Sequence, residues 1–212
     1  MPVAPTPLIA RIERAADRGH GATFISKDDR VLVPWSQLHD DARVVGAGLQ
    51  ARGIQPGDHV AILGPTSRPL VTAIQACWIS GACAVVLPLP MRMGSLEEFV
   101  EQTRARIRNA DAALLLIDPD LAPFYEPAEG DPPSVLLSDL VPGRGRPKSD
   151  AFESVADDLD RLAILQFTSG STSEPKGVMI PDRVFGANVD ACATAGHVSA
   201  PLTQSGCAPD AT

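Results

Sequence analysis

At 212 residues with 44% hydrophobic content, the chain is long enough to bury a core as one large domain or two small ones. Its formal charge of −8 opposes nucleic acid as a partner, because polyanion binders gain affinity from Lys and Arg that displace condensed counterions. Aromatics supply only 4% of residues, so packing falls to Ala, Val, Leu and Ile, the composition of buried parallel strands and their covering helices, and an α/β fold is expected.

The start, MPVAPTPLIARIERAADRGH, holds acidic residues and only a short apolar run at Leu8, Ile9 and Ala10, which fits neither a signal peptide nor a transit peptide. No stretch approaches the roughly 20 apolar residues of a membrane span. The four cysteines, Cys77, Cys83, Cys192 and Cys207, form no CxxC pair and have no His at zinc spacing, so the expectation is reduced thiols, no metal site, and a soluble, cytoplasmic chain.

In chain order, Leu8, Ile9, Ile12, Ala15 and Ala16 recur at helical spacing and Gly19 stops them, predicting a helix over 7–18. Two β-branched runs flanking Lys27, Asp28, Asp29 and Arg30 predict a hairpin. Ser36 is the cap expected for a second helix, whose stripe is Leu38, Ala42, Val45 and Leu49. His39, Asp40 and Asp41 fall on its polar face and are expected to be solvated.

From residue 59 apolar runs alternate with helical patterns, which implies parallel strands joined by crossovers. Strands are expected at 60–63, 82–87 and 112–117, with a helix marked by Leu70, Ile74, Cys77 and Trp78 after the first of them. A capping box, Ser95 with Glu98, opens another helix. Residues 118–160, rich in Pro, Asp and Gly, are expected to be mostly surface connection, with one strand at 135–137 and a solvated basic loop at 142–150.

At 162–167 a further strand runs directly into Thr168, Ser169, Gly170, Ser171, Thr172, Ser173, Glu174, Pro175, Lys176 and Gly177, before a short strand at 178–180 and a helix near Asp182. A loop of Gly, Ser and Thr after a strand offers amides and hydroxyls without bulky side chains to keep an anion out. Lys176 adds a cation suited to phosphoryl oxygens. The pattern is not GxxxxGK[ST], because Pro175 replaces the second glycine and Gly177 the magnesium-binding hydroxyl. Ser173 and Lys176 also match Ser-x-x-Lys, but the companion Ser-Asp-Asn and Lys-Thr-Gly triplets are absent.

The string LQFTSGSTSEPKGVMI resembles the signature loop of the adenylate-forming superfamily, Thr-Ser-Gly-(Ser/Thr)-Thr-Gly-x-Pro-Lys-Gly, departing from it at Ser173. Upstream, GIQPGDHVAILGP, AIQACWISGACAVVLPLP and LPLPMRMGSLEEFVEQTRARI follow the order those enzymes show. They look most like the fatty acyl-AMP ligase and long-chain acyl-CoA synthetase branch, and the resemblance covers residues 8–192.

The resemblance implies that Thr168, Ser169, Gly170, Ser171, Thr172, Lys176 and Gly177 hold ATP, used with Mg²⁺, while a fatty acid carboxylate attacks the α-phosphate. CoA or an acyl carrier protein would accept the acyl group. The family's later Tyr-Gly-x-Thr-Glu segment, ribose-binding aspartate and catalytic lysine have no match here, so the catalytic residue is not assigned. The expectation is an incomplete AMP-binding domain over 1–195, with 196–212 as a disordered or out-of-frame tail. A remnant or interaction module that keeps part of the ligase fold is the alternative.

Overall fold

The computed structural model describes residues 6–89, 95–140, 149–168 and 176–196. The chain opens with α1 (Leu8–Ala16), then a ribbon of β1 (Gly21–Ile25) and β2 (Arg30–Pro34) paired antiparallel in the hairpin that the sequence predicts. Helix α2 (Trp35–Gln50) starts one residue before Ser36, with Pro34 in the cap position and no side-chain cap bond. The expected Ser36 cap is therefore corrected: Pro34 sets an extended entry, and Trp35 already lies in the helix. Its predicted stripe is buried.

The main sheet contains β3 (His59–Leu63), β4 (Cys83–Val86), β5 (Ala112–Ile117), β6 (Ser134–Leu136), β7 (Leu162–Phe167) and β8 (Gly177–Pro181). Their spatial order is β6-β5-β3-β4-β7-β8, and every neighbouring pair is parallel except β7–β8. The crossovers carry α3 (Arg68–Ile79), α4 (Leu96–Asn109) and the short α5 (Leu137–Leu140), and α6 (Asp182–Ala195) closes the described chain. Ser67 and Ser95 cap α3 and α4, their hydroxyls accepting the N–H of Leu70 and Glu98 at 3.4 and 3.1 Å.

Alternate strand residues feed two cores, which is why the strands are continuous apolar runs. On one face Val60, Ile62, Ala84, Leu114 and Leu116 pack with α2, α3 and α5. On the other, Ala61, Leu63, Val85, Leu115 and Ile117 meet Phe99 and Ile107 of α4. This three-layer α/β fold, mainly parallel with crossover helices, is the fold class expected from the sequence.

Described residues in 118–160 are mostly surface connection, as expected, but four of them are anchored in the core. Tyr125, Leu137, Leu140 and Phe152 are buried, and the strand there is 134–136, with Leu137 already in α5. Asp131 organises this stretch: its carboxylate accepts from Arg104 Nε at 2.9 and 3.1 Å, from the Tyr125 hydroxyl at 3.0 Å and from the Ala128 N–H at 3.0 Å. Phe152 lies against α2 at Gly46, where a Cβ would stand 2.8 Å from the ring, and the Arg43 guanidinium covers that ring at 5.1 Å. The basic segment 142–148 lies outside the described residues.

The acidic cluster on α2 is also less solvated than expected, because Asp41 pairs with Arg68 at the start of α3. Cys77 and Cys83 are buried and reduced, and Cys192 is an exposed free thiol. Among the described residues no helix is long and apolar enough to cross a membrane.

Candidate functional site

The site is built on β7, which joins the sheet beside β4 through the pair Ala84 and Ile164. Ala163 and Leu165 are buried, and the Trp78 indole of α3 donates to the Ala163 carbonyl at 2.9 Å. The Trp78 ring also packs on Phe185 of α6, 5.3 Å between centroids. One α3 side chain thus ties the start of β7 to the helix that follows β8.

β7 delivers the chain to the carboxyl ends of the parallel strands, and the chain comes back as β8. The last rung pairs Phe167 with Gly177. Beyond it, the Thr168 N–H donates to the Lys176 carbonyl at 3.1 Å. The predicted loop is therefore a hairpin connection with both feet held in one ladder.

Three of the predicted site residues are placed by the structure. Thr168 and Lys176 are exposed at the two feet, and the Lys176 ammonium has no ion-pair partner among the described residues. The Thr168 amide is spent on Lys176, so its hydroxyl is the group it can offer an anion. Gly177 begins β8 directly above Leu165: a Cβ there would come within 3.1 Å of Leu165 Cδ2. The absence of a side chain at 177 answers to packing under the hairpin, a reason that the sequence reading missed. Ser169, Gly170, Ser171 and Thr172 lie outside the described residues, as do Ser173, Glu174 and Pro175.

In open α/β sheets, ligands commonly sit where neighbouring strands send their connections in opposite directions. Here that point lies between β3 and β5, and it is closed. A Cβ on Gly64 would stand 3.1 Å from Leu137 Cδ1 and 3.3 Å from Asp118 Cβ, and the Asp118 N–H donates to the Leu63 carbonyl at 2.8 Å. A cavity of about 410 Å³ beside β6, lined by Arg52, Tyr125 and Asp139 among others, is at the opposite edge of the sheet from the hairpin. Among the described residues no group of three or more His, Cys, Asp or Glu is arranged to hold a metal ion.

A mainly parallel α/β sheet that runs into a hairpin with Thr168 and Lys176 at its feet is the arrangement in which the sequence places the string that resembles the adenylate-forming signature. The chain belongs to the AMP-binding enzyme family, whose model matches residues 12–206, a stretch that runs on past the end of α6. It is similar to phenyloxazoline synthase MbtB of Mycobacterium tuberculosis, 33% identical over 162 residues that make up 75% of this chain and 10% of the relative. It is also similar to the 2-succinylbenzoate–CoA ligase of Bacillus licheniformis, 31% identical over 182 residues, 82% of this chain and 33% of the relative. Among solved structures, a fatty acyl-adenylate ligase from L. pneumophila, crystallised with acyl adenylate and pyrophosphate, superposes with a TM-score of 0.80 at 26% identity, covering 91% of this chain and 33% of that one. The chain spans about a third or less of the length of the curated relatives it matches.

Proposed function

We propose that the chain is the nucleotide-gripping part of an ATP-dependent ligase that activates a fatty acid as its acyl-adenylate. A carboxylate oxygen of the acid attacks the α-phosphorus, the bond from that phosphorus to the bridging oxygen of the β-phosphate breaks, and pyrophosphate leaves. The Thr168 hydroxyl, residues 169–172 and Lys176 hold the β- and γ-phosphates, where charge accumulates as pyrophosphate departs. Mg²⁺ travels with the ATP, and CoA or an acyl carrier protein takes the acyl group in a later step.

The observation that carries this reading is the pair of exposed groups at the feet of the β7–β8 hairpin. A hydroxyl and an ammonium without an ion-pair partner among the described residues stand where the family's signature string leaves the sheet. The fatty-acid assignment draws support from the superposition on the Legionella ligase, while one curated relative, by its name, acts on 2-succinylbenzoate. Two buried thiols fit a reducing, cytoplasmic setting. We take the nucleotide-gripping domain to reach at least through α6, and the family match continues to residue 206.

Titration calorimetry with ATP and with pyrophosphate tests the grip. The native chain is expected to bind both weakly, and Lys176→Ala to weaken both about tenfold or more, since a charge-assisted hydrogen bond is worth on the order of 1.5–3 kcal/mol. Binding that is absent, or equal in the two proteins, sinks the assignment. Exchange of labelled pyrophosphate into ATP, driven by a fatty acid, separates a working ligase from a remnant that keeps the fold without turnover.

A further inference from the structure

β7 does not pair evenly with β8. Ile164 faces Ile180, and the rungs run on in step to Phe167 and Gly177, but in the other direction the next rung pairs Leu162 with Pro181. Ala163 has no partner of its own across the ladder, so it forms a β-bulge, an extra residue that shifts the register by one. The side chains record the same shift. Leu162 packs on the second core with Leu165 and Phe167, whereas strict alternation sends residues 162 and 165 to opposite faces.

The bulge is held from outside the ladder. The Trp78 indole donates to the Ala163 carbonyl at 2.9 Å, and its ring is fixed in turn against Phe185 of α6. The hairpin beyond the bulge inherits its register. Thr168 stands opposite Lys176, joined by the amide-to-carbonyl bond at 3.1 Å, so the two side chains share one face. Flattening the bulge slides β7 past β8 by one residue. Lys176 then faces Phe167, and its side chain turns to the opposite face, toward the second core.

We propose that Trp78 is a positioning residue for the phosphate hairpin: its hydrogen bond to Ala163 keeps the bulge in place and so sets Thr168 and Lys176 on one face. The register follows from α3, β7 and β8 alone. Only its consequence for phosphate rests on the function proposed above.

Disulfide trapping, resolved by peptide mass spectrometry, reads the register without any ligand, in a background of Cys192→Ser and Cys207→Ser. Gln166→Cys with Val178→Cys occupies one rung with both positions exposed, and Cα atoms about 5.5 Å apart are within disulfide reach. Ile164→Cys with Met179→Cys is the pair that a one-residue slip brings opposite; in the observed register the two lie on different faces. With Trp78 in place, mild oxidation is expected to link 166 to 178 and to leave 164 and 179 apart.

Trp78→Phe keeps a ring against Phe185 and removes the donor. It is expected to lower 166–178 linking severalfold and to let 164–179 linking appear. Phe185→Leu removes the ring contact and keeps the donor, so it should lower stability and leave both yields unchanged, which separates register from general packing. Equal yields with Trp and Phe at position 78 overturn the proposal, as does 164–179 linking with Trp78 in place. Should Trp78→Phe fail to fold, hydrogen exchange on the native chain decides. The Trp78 indole N–H and the Val178 amide are expected to exchange in one opening, and an indole at least about tenfold faster overturns the proposal.

Calorimetry then tests the consequence for phosphate. Trp78→Phe should weaken ATP and pyrophosphate in the same direction as Lys176→Ala, and binding that survives a lost register overturns the positioning role. A register that depends on Trp78, in a chain that binds neither nucleotide nor pyrophosphate, retires the phosphate reading and leaves the role of Trp78 in the hairpin standing.

Discussion

The carboxylate of Asp182 accepts the backbone N–H of Leu8 at 3.0 and 3.2 Å, so the first residue of α6 caps the first residue of α1 from the far end of the described chain. A second tie, Arg11 to both oxygens of Asp190 at 2.7 Å, runs between the same two helices. α1 has no side-chain cap of its own, so Asp182 does that work.

Asp182→Ala is expected to cost about 0.5–2 kcal/mol, the range for a lost helix cap, measured by urea unfolding. Burial is the largest influence on the Asp182 carboxyl and pushes it above its ordinary value; the nearby Asp157 adds to this, while the Leu8 N–H, Arg11 and Arg161 oppose it. A raised acid contributes stability that is full below its unfolded value and is lost as pH rises through its folded one. Asp182→Asn keeps an acceptor and cannot ionise. Its stability relative to the native chain should therefore improve as pH rises through the carboxylate range, and a pH-independent difference would contradict this reading.

Asp131 behaves in the opposite sense. Burial alone would raise its carboxyl, but hydrogen bonds from Arg104, Ala128 and Tyr125 outweigh burial and hold it below the ordinary range. Its contribution is present above the unfolded value and disappears as pH falls through the lowered one. Asp131→Asn should lose roughly 1–3 kcal/mol at neutral pH and flatten the acid limb of the stability curve. The Tyr125 phenol is pushed up to about 12, first by burial and then by Asp131, so ultraviolet titration of Asp131→Asn should find it ionising at lower pH.

Gly177→Ala sets two effects against each other. Loss of glycine freedom in the unfolded chain is worth about 0.4–1 kcal/mol in favour of the variant. Crowding Leu165 at 3.1 Å works against it by roughly 1–3 kcal/mol. The crowding should win, giving a net loss of about 1 kcal/mol in urea unfolding; a stabilised variant would show that Leu165 yields freely.

Thiol reactivity reports the core. Burial is the main cause that raises both inner thiols, the Cys83 group to about 12 and that of Cys77 also well upward. A thiol reagent at neutral pH should modify Cys192 in the native chain and reach Cys77 and Cys83 only as fast as the protein unfolds. Peptide mass spectrometry resolves the sites, and rapid native labelling at 77 or 83 would refute their burial.

Local pattern carried much of this fold. The apolar runs at 112–117 and 162–167 are the strands as read, because both faces of a covered parallel strand are hydrophobic. Ser95 caps α4 as its spacing indicates. What failed was set at a distance: Phe152 is buried by a gap at Gly46, and Leu8 is capped by a residue 174 positions away. No window of sequence contains either partner. For the site, the flanking strands were legible from their apolar runs, whereas the use of the Thr168 amide and the packing of Gly177 over Leu165 follow from the antiparallel return of β8.

That return has an entropic side. A segment whose two ends are already fastened a strand's width apart has surrendered part of its freedom during folding, before any ligand arrives. On the proposed function, a connection fastened at both feet asks less further ordering on binding than a tether loose at one end. On that same proposal, rupturing the rungs at Phe167 and Thr168 would transfer that ordering to the moment of binding and weaken the grip from a distance.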